Sequence, residues 1–104
     1  MAEVPISVSC DEDPDGGWRC AVVVGVDAGA THHEVEVAAA TRDELAADAD
    51  PEALVRASFM FLLEREARES IMATFELPVI GRYFSGYRDE IRRRLRRGDA
   101  EDGR

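Results

Sequence analysis

Arg88, Arg92, Arg93, Arg94, Arg96 and Arg97 form the densest group of chemistry-bearing side chains in the sequence. Guanidinium groups at this spacing can contact phosphate or an acidic protein surface. They can also be a solvated face near the C-terminal end of a helix, where the macrodipole favours cations. Arg88, Arg92, Arg93 and Arg96 stand as a candidate partner surface. Met60 joins them: on a helix spanning its neighbourhood it falls apart from the apolar arc, and its flexible thioether suits a contact surface.

No other group specifies a reaction. Cys10, Cys20 and the pair His32-His33 contain metal-ligand types. Neighbours in a strand point to opposite faces, so one His at most joins both cysteines, and a fourth ligand is lacking. A cysteine nucleophile with His33 as base needs an electropositive setting, and residues 1–50 carry a net charge of −10. The run Asp11-Glu12-Asp13-Pro14-Asp15 lacks the spaced ligands and closing Glu of a calcium loop. No glycine-rich phosphate loop occurs. The expectation is no catalytic residue, no metal and no cofactor.

Composition narrows the partners. The chain has 104 residues, a formal charge of −9 and 13 basic residues, every one of them Arg. Residues 51–81 carry −2 and residues 82–104 carry +3, so the two ends of the chain attract each other. The net charge disfavours nucleic acid. Fifteen Ala and no Lys, Asn or Gln fit a GC-rich prokaryotic genome. The start, Met1-Ala2-Glu3-Val4-Pro5, has neither the cationic nor the apolar region of a signal peptide. No apolar run approaches the ~20 residues that span a bilayer. A cytoplasmic protein with two reduced thiols is expected.

The elements that must position these groups read as α+β. Val4, Ile6, Val8 and Cys10 alternate with Pro5, Ser7 and Ser9. Trp18, Cys20, Val22, Val24 and Val26 alternate with Arg19, Ala21, Val23 and Gly25 in the most apolar run, which suits a central strand. His33, Val35 and Val37 alternate with Glu34 and Glu36. They predict a three-stranded antiparallel meander with one apolar face. A loop spanning Asp11–Gly17 would set Cys10 opposite Trp18 and Cys20 opposite Val8, leaving the thiols as diagonal neighbours. Thr41 and Glu44 fit a capping box for a brief helix. Asp50 and Pro51 then open a long helix to about Ala67, with Leu54, Val55, Ser58, Phe59, Phe61 and Leu62 on one arc. Ser70–Phe75 and Val79–Phe84 predict short helices around a break, the rhythm of a helix-turn-helix. Tyr87–Arg97 predicts the final helix, stopped by Gly98.

The residues Pro51-Glu52-Ala53-Leu54-Val55-Arg56-Ala57-Ser58-Phe59-Met60-Phe61-Leu62-Leu63-Glu64-Arg65-Glu66, then Glu69-Ser70-Ile71 and Leu77-Pro78-Val79-Ile80-Gly81-Arg82-Tyr83-Phe84, carry a resemblance. Over about residues 51–92 the chain resembles a family of small uncharacterised prokaryotic proteins, which implies a fold unit and no activity. A meander followed by a helix opening Asp50-Pro51-Glu52 is also loosely similar to the HicB-type antitoxins. The reading is one α+β domain over residues 1–97 with a mobile polar tail over 98–104. Its expected function is non-enzymatic: a small binding or regulatory domain acting through protein contacts. The alternatives are a nucleic-acid-associated regulator using residues 70–97, or an antitoxin-like regulator. Oligomeric state is left open.

Overall fold

The computed structural model describes residues 5–26, 28–46 and 49–102. Strands β1 (Ile6–Asp13), β2 (Gly17–Val24) and β3 (Thr31–Ala38) form the expected antiparallel meander. Alternation decides the faces. Cys20, Val22, Val24, His33, Val35 and Val37 are buried on the inner side, while Arg19, Glu34 and Glu36 share the outer face as an ion-paired group.

The first hairpin corrects the expected register by two residues. Cys10 lies directly opposite Cys20, and pairing extends through Asp13 opposite Gly17. Only Pro14, Asp15 and Gly16 remain unpaired. The Gly16 N–H donates to the Asp13 carbonyl at 2.9 Å, and Gly16 itself has φ of +87°, a value glycine adopts without a Cβ penalty. The Asp13 side chain accepts from the Asp15 N–H at 3.2 Å. This tight three-residue turn draws Asp11 and Glu12 into the strand despite their poor β-propensity.

The new register also corrects the expectation of free thiols. Cys10 and Cys20 face each other with Cα atoms 4.0 Å apart and form a disulfide. A shift of two preserves which side chains point inward, so the apolar face is as expected and only its pairing changes.

β3 runs directly into α1 (Ala39–Ala46), so Thr41 lies inside that helix and is not its cap. Helix α2 (Pro51–Leu63) begins as expected: the Asp50 side chain accepts from the Glu52 N–H at 3.1 Å, with Pro51 in the first turn. It ends at Leu63, short of Ala67, because the Arg65 and Glu66 N–H groups both bond to the Leu62 carbonyl and Ala67 is extended. The predicted arc of six residues is buried. Phe59 faces the sheet and packs at a tilt against His33, with ring centroids 5.2 Å apart. Phe61, ~200° further round the helix, packs edge-on with Phe84 and Tyr87 instead. Removing either ring from such a position costs about 3–5 kcal/mol.

The largest departure follows. Ser70–Phe75 does not form a helix, and the helix-turn-helix is not made. Arg68–Ser70 is a single 3₁₀ turn, and Thr74–Glu76 is a fourth strand, β4, parallel to β3. The sheet is therefore four-stranded and mixed, in the order β1-β2-β3-β4. The open edge of β3 drives this: the Glu34 N–H donates to Ala73 at 2.7 Å, and the Glu36 carbonyl accepts from Leu77 at 3.0 Å. Helix α3 (Val79–Tyr83) follows, and then α4 (Tyr87–Asp102), which packs on α2 and continues past Gly98. No described helix is long and apolar enough to cross a membrane.

Candidate interaction surface

The arginines of α4 are mostly engaged within the molecule. Arg88 meets the Glu44 carboxylate at 2.6 Å, and Arg92 donates through Nε and Nη2 to the Glu44 carbonyl at 3.2 and 2.9 Å. Both tie α4 to the end of α1, where a helix carbonyl otherwise lacks a partner. Arg93 pairs with Glu90 at 3.2 Å. Arg94 reaches Glu90 at 2.8 Å and Glu64 at 2.6 Å, with its guanidinium near the Phe61 ring. Arg96 is exposed and has no ion pair among the described residues, whereas the Arg97 side chain lies outside them. Met60 is 44% exposed on α2.

His33 is buried and committed to structure. Its Nδ1 lies 2.8 Å from the Met72 carbonyl and its Nε2 lies 2.9 Å from Thr31 Oγ1. A carbonyl only accepts, so Nδ1 donates to Met72. This bond fastens the segment before β4 against β3. Among the described residues no three His, Cys, Asp or Glu side chains are placed to hold a metal.

The most developed surface lies where β4 and α3 meet. A hollow of about 260 Å³ is walled by Leu62, Ile71, Phe75 and Ile80, with Met72 and Tyr83 at its rim. Met72 is 45% and Tyr83 70% exposed, so two large apolar side chains stand in water beside an apolar recess. A shallower groove of about 600 Å³ shares Met72, Phe75, Val79 and Tyr83 and runs on past Thr74, Glu76 and Arg82.

β4 supplies the backbone of this groove. Ala73 and Leu77 bond to β3, and alternation along a strand aims the Phe75 backbone groups the same way. The N–H and C=O groups of Thr74 and Glu76 therefore point away from the sheet, and no described residue bonds to them. The opposite edge is treated differently. On β1, Glu52 accepts from the Cys10 N–H at 3.2 Å and Arg56 donates to the Ile6 carbonyl at 2.9 Å, both from α2.

The structure thus brings Arg88 and Arg92 together around Glu44, and leaves Met60 and Arg96 on exposed surface. Sequence reading passed over Met72, Tyr83 and the β4 edge. Met72 and Tyr83 flank apolar core residues and look like part of them until β4 separates the two groups. Compared with known proteins, the chain matches no family model, no curated protein and no solved structure, so its function is read from its own geometry.

Proposed function

We propose that this chain is a small non-enzymatic binding or regulatory domain that acts through contact with another protein. The observation that carries the reading is the apolar hollow with Met72 and Tyr83 exposed at its rim. A protein that keeps two such side chains in water beside a recess loses little by exposure and gains when a partner covers them. The committed roles of His33 and Ser58 support the absence of a reaction: both are buried, and both are held by hydrogen bonds within the fold. Placement in the cytoplasm belongs to the same proposal; there the Cys10–Cys20 bond would be reduced and the fold would rest on its apolar core.

The test is photo-crosslinking from position 83 in the native host, with the doubly substituted Met72→Ser, Tyr83→Ser chain as comparison. A protein crosslinked by the parent and lost in the double variant supports the reading. The second reading, a nucleic-acid-associated regulator, draws on Arg82 and Arg96, which are exposed and without ion pairs among the described residues. It requires tight, steeply salt-dependent duplex binding at low salt, lost when Arg82 and Arg96 become Ala.

A further inference from the structure

We propose that the free edge of β4 receives an extended segment of a partner protein as an added strand, and that this segment is basic and apolar by turns. The proposal rests on the protein-binding reading above and gives it a mode and a ligand chemistry.

Three observations converge on it. The N–H and C=O groups of Thr74 and Glu76 are aimed outward and bond to no described residue, offering up to four hydrogen bonds in strand register. A groove lies along this edge with α3 as its far wall, so an entering strand meets side chains on one flank as well as backbone on the other. The third is a contrast within one sheet: α2 covers backbone groups of the β1 edge with Glu52 and Arg56, while no described side chain bonds to the outward groups of β4. At three residues β4 is too short to be a general aggregation template, which makes an open edge tolerable there.

Pairing fixes the chemistry of the guest. Side chains of an added strand alternate between the two faces of the sheet. A residue opposite Phe75 points to the inner side, toward the hollow and its rim of Met72, Val79 and Tyr83. Its neighbours point to the outer side with Thr74 and Glu76, close to Glu36. Glu36 and Glu76 line this outer side, Glu76 has no ion pair among the described residues, and Arg82 is the one base lining the groove. The surroundings are acidic, so basic residues suit the outer positions and an apolar one the inner position. The same acidity, and a charge of −9 on each chain, works against a second copy as the guest.

The experiment selects random decapeptides displayed on phage against the intact protein, then titrates the best synthetic peptide while following backbone amides by NMR. Expected are enriched sequences alternating Arg or Lys with apolar residues, and slowed hydrogen exchange at the Thr74 and Glu76 amides when the peptide is bound. Methylating alternate peptide nitrogens should weaken binding by about tenfold or more where they face β4, and Glu76→Arg should weaken it too. The methylated peptide leaves the protein unaltered, so its result stands even where a variant unfolds. Peptides that bind the hollow as helices, indifferent to methylation, overturn strand addition and leave the protein-binding reading standing. Peptides that map to Met60 or to the arginines of α4 overturn the site alone. Self-association through the Thr74 and Glu76 amides replaces the partner by a second copy and overturns the ligand chemistry. No enriched peptide and no crosslinked partner overturn both readings together.

Discussion

The Ser58 hydroxyl and the Tyr87 phenol meet at 2.7 Å, fully buried between α2 and α4. Ser58 also donates to the Leu54 carbonyl at 2.9 Å, so its one proton is committed and Tyr87 must be the donor to Ser58. The two side chains are not equivalent. Ser58→Ala leaves a buried phenol without an acceptor and should cost about 1–3 kcal/mol. Tyr87→Phe leaves Ser58 satisfied by Leu54 and should cost about 1 kcal/mol or less. Urea unfolding of both variants checks the order; a costlier Tyr87→Phe would reverse the assignment of the donor.

The same pair sets a pH dependence. Burial holds the Tyr87 phenol well above the usual tyrosine range. As pH rises the unfolded chain therefore gives up this proton first. The contribution is complete below ~pH 10 and declines above it by about 1.4 kcal/mol per pH unit. Parent and Tyr87→Phe chains compared from pH 8 to 11 should diverge in slope only at the alkaline end.

The Cys10–Cys20 bond closes a short loop, with a sequence separation of 10. Its loss should cost about 2–3 kcal/mol on chain-entropy grounds. Thermal melts with and without reductant measure this, with Cys10→Ala, Cys20→Ala as control. Equal melting temperatures would mean that the ladder of β1 and β2 holds the hairpin unaided.

Glu52 and Arg56 should matter more to solubility than to stability. Both are at the margin of α2, and each satisfies one outward group of β1. Replacing both by Ala should cost about 1–2 kcal/mol while raising light scattering on prolonged incubation, since it bares an eight-residue strand edge. Unchanged scattering would show that the twist of β1 protects the edge by itself.

The arginines of α4 should separate by partner. Arg94 has 18% side-chain exposure, two carboxylates and an aromatic ring, whereas Arg96 has no ion pair among the described residues. Arg94→Ala should destabilise by about 1 kcal/mol or more, and Arg96→Ala should stay within about 0.5 kcal/mol. Chemical denaturation of the two single variants decides it.

The parts legible in the sequence are those whose signal exceeds one turn or one alternation. Six inward residues of α2, its Asp50 cap and the inner faces of three strands follow from periodicity over eight or more positions. β4 offers three residues and one apolar side chain, Phe75, and its conformation is dictated by the unpaired edge of β3. The disulfide depended on a turn that Asp11 and Glu12 disguised as a longer loop. The candidate surface followed the same fate, because Met72 and Tyr83 are placed by β4.

Pairing of Glu34 with Thr74 joins positions 40 residues apart, while β1, β2 and β3 close through turns a few residues long. During synthesis the meander can therefore assemble well before its last strand exists. At ~5–20 residues per second, the interval between completing Ala38 and Leu77 is about 2–8 seconds. For that time the β3 edge is an uncapped row of hydrogen-bonding groups on a nascent chain, and for the first part of it the apolar face also awaits α2, which is complete only at Leu63. Glu34 and Glu36, two carboxylates on that edge strand, keep it charged until β4 arrives.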